Sequence, residues 1–60
     1  MKDVTVMFAP LNGVSYYLYE RKENGSKFMS LIAPNEWRYN YYKLKFCGAY
    51  VCDDGDWEPV

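Results

Sequence analysis

Asn12-Gly13-Val14-Ser15-Tyr16-Tyr17-Leu18-Tyr19-Glu20-Arg21-Lys22-Glu23-Asn24-Gly25 sets an aromatic-rich run between two Asn-Gly pairs. A two-residue type I′ turn needs positive φ at both central positions, which Asn-Gly adopts at little cost. The pairs lie twelve residues apart, the spacing of consecutive hairpins. Apolar or alternating residues flank each pair. The reading is a mainly β fold built on a small antiparallel meander, with strands near Asp3–Leu11, Val14–Glu23 and Ser26–Ala33.

Two-residue loops would also fix the register. Met7 then faces Leu18, which faces Leu31, and Ala9, Tyr16 and Ala33 form the next row. The opposite face carries Phe8, Tyr17 and Ile32, then Val6, Tyr19 and Ser30, then Val4, Arg21 and Phe28. A sheet buried on one side only shows a clean polar face, and this one does not. The second face is therefore either covered by the rest of the chain or left open as a binding surface.

Beyond the meander, Ala33-Pro34-Asn35-Glu36-Trp37 breaks the alternation. Pro34 suits a first helical turn, and Trp37 and Tyr41 are four apart, so at most one short helix is expected near 34–41. Alternation returns from Tyr42, with Gly48 marking a bulge or bend in the strand. Asp53-Asp54-Gly55-Asp56 reads as a turn, and Trp57-Glu58-Pro59-Val60 as a short edge segment. The total is four or five strands.

Sixty residues make one small β-rich domain, 1–60, with a marginal core. Half the residues are hydrophobic and a quarter charged, a globular composition. Neither a leader segment nor an apolar run of membrane length is visible, so a soluble, cytoplasmic protein without a membrane partner is expected. In that setting Cys47 and Cys52 are reduced thiols. A disulfide between them would require a tight turn at Gly48.

Chemistry is restricted by what the chain lacks. With no His there is no His-based triad or His-ligated metal site. Two cysteines cannot supply the four ligands of structural zinc. Asp54, Asp56 and Glu58 alternate as EF-hand ligands do, but the rest of that loop would run past the chain end. Gly-rich phosphate loops and nucleophile elbows are absent. The expectation is a non-enzyme with no metal and no cofactor.

Two patterns remain. Aromatic residues reach 20%, with Trp37, Tyr39, Tyr41 and Tyr42 gathered outside the meander. Such side chains supply large contact area at low entropic cost. Charge is also segregated: residues 53–60 carry −4 within a chain of net charge −1. Together they suggest a small protein-binding module acting by occupancy, a regulator or inhibitor of a partner protein of the kind phages and mobile elements encode. Its contact residues would be Trp37, Tyr39, Tyr41 and Tyr42 with Asp53, Asp54, Asp56 and Trp57. The alternative is a small β-barrel binding single-stranded nucleic acid through Tyr and Lys side chains. A homodimer through an unpaired edge strand is a third arrangement.

Overall fold

The computed structural model describes residues 3–39 and 41–60. It is mainly β, as expected: a five-stranded mixed sheet curled into a half-barrel. The strands are β1 (Val4–Thr5), β2 (Ser15–Arg21), β3 (Lys27–Ser30), β4 (Leu44–Asp53) and β5 (Asp56–Pro59). Their order across the sheet is β1-β3-β2-β4-β5. Two 3₁₀ turns, Pro34–Glu36 and Tyr41–Lys43, connect β3 to β4.

The first expected hairpin does not form. β2 is central, with β3 on one side and the ten-residue β4 on the other, so it has no edge left for β1. β1 instead pairs in parallel with β3, placing Val4 opposite Lys27 and Thr5 opposite Phe28. Asn12-Gly13 extends the β2–β4 ladder: Gly13 N–H donates to the Cys52 carbonyl at 2.9 Å, and Cys52 N–H to that of Val14 at 3.3 Å. The expected row of Met7, Leu18 and Leu31 is therefore lost. Met7 is 89% exposed and Leu31 66%, whereas Leu18 is buried.

A second correction concerns Asn24-Gly25. These residues do belong to the β2–β3 hairpin, but within a four-residue loop, Lys22 to Gly25, closed by Arg21 N–H donating to the Ser26 carbonyl. Gly25 takes positive φ and Asn24 does not, so the turn is not type I′. Asn24 Oδ1 accepts from Ser26 N–H at 3.0 Å, a local bond that favours this longer loop. The register moves by two residues. Leu18 consequently pairs with Met29, and faces are preserved because the shift is even.

The true two-residue turn is Asp54-Gly55. Both residues have positive φ, 48° and 87°, and Asp53 pairs with Asp56 across it. Gly48 forms the expected bulge at φ 128°, with the β2–β4 register slipping between Leu18 and Tyr19. Cys47 and Cys52 stay on one strand as free thiols, the second of them buried.

Each sheet face has its own cover. On one, Tyr16, Leu18, Met29 and Cys52 are buried beneath Val4, Val6 and Phe8 of the N-terminal segment and beside Trp57. On the other, Tyr19 is fully buried under the segment that follows β3. Two large aromatic residues on opposite faces of β2 thus explain why the sequence shows no polar face.

Candidate functional site

Tyr19 organises the second face. Phe28 of β3 stacks on it at 5.7 Å, and Phe46 of β4 lies at 5.6 Å. Trp37 and Tyr41 meet it edge-on at 5.4 and 6.2 Å, and stack on each other at 6.2 Å. Such pairs add about 0.5–1.5 kcal/mol each beyond area burial. The phenol donates to the Ile32 carbonyl at 2.6 Å, which satisfies it. Burial pushes its pKa above the ordinary 10.0, while the nearby Trp37 indole opposes part of that rise. The Trp37 Nε1 is itself enclosed without a well-aligned acceptor.

Local bonds hold the covering segment in place. Ala33 N–H donates to Glu36 Oε1 at 3.1 Å, and Glu36 N–H donates to the Ala33 carbonyl at 3.0 Å. These close the Pro34–Glu36 turn and aim Trp37 at Tyr19. The i,i+4 pairing of Trp37 with Tyr41 survives without a continuous helix.

Beside this cluster lies an open groove of about 680 Å³. Its apolar lining is Phe28, Trp37, Tyr42 and Leu44, and its charged lining is Arg21, Lys22, Glu23 and Lys43. Arg21 is pre-oriented: its guanidinium sits 4.4 Å over the Phe28 ring and donates to Ser26 Oγ at 3.1 Å. Lys22 N–H donates to the Lys43 carbonyl at 3.0 Å, which fixes the two lysine backbones side by side. Lys43 Nζ lies 5.8 Å from the Tyr42 ring. A smaller hollow of about 370 Å³, which also touches Trp37, is lined by Ile32, Glu36, Arg38 and Tyr39.

The expected contact residues are thus distributed unevenly. Trp37 and Tyr41 are half-buried and their rings pack on Tyr19. Tyr39 and Tyr42 are 80% and 71% exposed. Trp57 packs edge-on against Tyr16 at 5.7 Å, as part of the other face. Asp53, Asp54 and Asp56 are exposed at the β4–β5 turn, where Asp54 serves the turn geometry. No three His, Cys, Asp or Glu side chains converge as a metal site among the described residues.

Strand direction converts the charge segregation of the sequence into a polar axis. Arg21, Lys22, Lys27, Lys43 and Lys45, five of the seven cations, gather where β2 ends, β3 begins and β4 begins. The acidic turn lies past the other end of β2: Asp53 is nine residues along β4 from Leu44, the partner of Arg21, roughly 30 Å at about 3.3 Å per residue. Arg21, Lys22, Phe28 and Leu44 were not singled out from sequence, and Lys43 only as a cation of the nucleic-acid alternative. The available signal was three cations at strand ends, which reads as an ordinary solvated rim until the connection brings Trp37 and Tyr42 alongside.

The arrangement is a small half-barrel with an open, basic, aromatic groove at one end. All sixty residues match the family described as "Protein of unknown function (DUF2452)", and the chain belongs to it. It is 39% identical over 49 residues to "Uncharacterized protein C08B11.9" of Caenorhabditis elegans, covering 80% of this chain and 26% of that protein. The match spans about a quarter of the relative's length. No solved structure matches the chain. Among the described residues no helix is long and apolar enough to cross a membrane.

Proposed function

We propose that this domain is a protein-binding module that acts by occupancy, and that its anchor is the groove between Arg21 and Leu44. One observation carries the reading. The apolar lining is preorganised, because Trp37 and Phe28 rest on a fully buried Tyr19, while Tyr42 stands exposed at the same groove. Preorganised aromatic side chains bind with little ordering cost. A regulatory or inhibitory outcome would follow from masking the partner's surface; a phage or mobile-element origin is not needed for it.

In this proposal the acidic turn is secondary. Asp53 and Asp56 steer association, Asp54 holds the turn, and Trp57 belongs to the core. Nucleic-acid binding is the weaker reading, since the cations gather at one end and an acidic turn occupies the other.

Capture from extracts of the source organism tests the proposal. The intact chain should retain a protein that Lys22→Glu/Lys43→Glu loses and Asp53→Asn/Asp56→Asn keeps. Loss by the Asn pair alone would move the anchor to the acidic turn.

A further inference from the structure

We infer that the groove takes a short peptide segment carrying two or more carboxylates next to a large apolar side chain. The inference rests on the reading of the groove as a protein-binding site and names the chemistry of its occupant.

Charge complementarity is the first ground. Arg21, Lys22 and Lys43 line the groove against a single acid, Glu23. The Lys22–Lys43 backbone bond keeps two ammonium-bearing residues adjacent, which opposes folding slightly unless an anion is supplied. Arg21 commits a donor to a hydroxyl, not to a carboxylate. Its fork carries five N–H donors, so most are left for a bidentate acceptor, and the contact with the Phe28 ring at 4.4 Å holds the group beside the groove.

The apolar lining is the second ground. Phe28, Trp37, Tyr42 and Leu44 give the open groove of about 680 Å³ its apolar lining. Carboxylates alone would leave that surface uncovered. A large side chain beside them would fill it.

Other occupants fit less well. A second copy could offer its Asp53–Asp56 turn, but the neighbouring Trp57 is held against Tyr16 and has nothing to give the apolar lining. A single-stranded nucleic acid needs cations that follow its backbone, whereas these form one cluster.

The test pans a random twelve-residue display library against the intact domain. Enriched peptides should place at least two Asp or Glu within three positions of Trp, Phe or Leu. Their affinity should fall at least tenfold on Lys22→Glu/Lys43→Glu, and also on the milder Lys22→Ala/Lys43→Ala, with circular dichroism confirming that each variant folds. Replacing the peptide's acids by amides should cost a similar factor, and Asp53→Asn/Asp56→Asn less than twofold. Groove-dependent peptides without an acid preference would overturn the inference and leave the protein-binding reading standing. Absence of groove-dependent peptides, with or without salt-sensitive binding of an oligothymidylate, would overturn both. Self-association that the Lys22→Glu/Lys43→Glu variant abolishes would assign the groove to a second copy and overturn the inference.

Discussion

Asn12 and Asp54, 42 positions apart, are joined by two hydrogen bonds: Asn12 Nδ2 donates to Asp54 Oδ1, and Asp54 N–H donates to Asn12 Oδ1, both at 2.9 Å. The pair ties the β4–β5 turn to the segment leading into β2. It also shows what the first Asn-Gly does, which is to clasp a turn elsewhere in the chain. Asn12→Ala should cost about 1–2 kcal/mol in urea unfolding, given roughly 0.5–1.5 kcal/mol per net hydrogen bond. Asn12→Asp should cost more, because it sets carboxylate against carboxylate. An Asn12→Ala chain as stable as the parent would mean the clasp contributes nothing.

What the sequence disclosed follows from the range of each interaction. The bulge at Gly48, the end of the strand pattern at Pro34 and the turn at Asp53–Asp56 depend on local residues, and they were legible. The two Asn-Gly pairs misled because turn chemistry competes with long-range pairing. Gly13 bonds to Cys52 across most of the chain, and β4 outcompetes β1 for the side of β2. Aromatic enrichment in residues 37–42 could not divide that segment into Trp37 and Tyr41, which cover Tyr19, and Tyr39 and Tyr42, which face solvent.

Core identity separates the expected register from the observed one. Leu18→Ala should destabilise by roughly 2–5 kcal/mol, as truncation of a buried leucine does. Met7→Ala and Leu31→Ala should stay within about 0.5 kcal/mol, since both side chains are largely exposed. Equal losses at Leu18 and Leu31 would restore the row that the structure rejects.

Alkaline stability should report on Tyr19. Burial raises its pKa above 10.0, so the folded chain holds that proton more tightly than the unfolded chain. The resulting stability is complete below about pH 10 and declines as pH rises through the folded value. Tyr19→Phe gives up the bond to the Ile32 carbonyl, about 0.5–1.5 kcal/mol, but should lose less stability above pH 10 than the parent. Urea midpoints across that range measure the difference. Parallel declines in the two chains would contradict the assignment.

Photo-crosslinking tests most directly where the partner binds. A benzophenone amino acid replacing Tyr42, which is exposed at the groove, should form an adduct with a protein in cells of the source organism. The same group replacing Asp56, at the far end of β2, should yield little of that adduct. Lys22→Glu/Lys43→Glu should suppress the Tyr42 product. An adduct from position 56 with none from position 42, or a nucleic-acid adduct at position 42, would contradict the account.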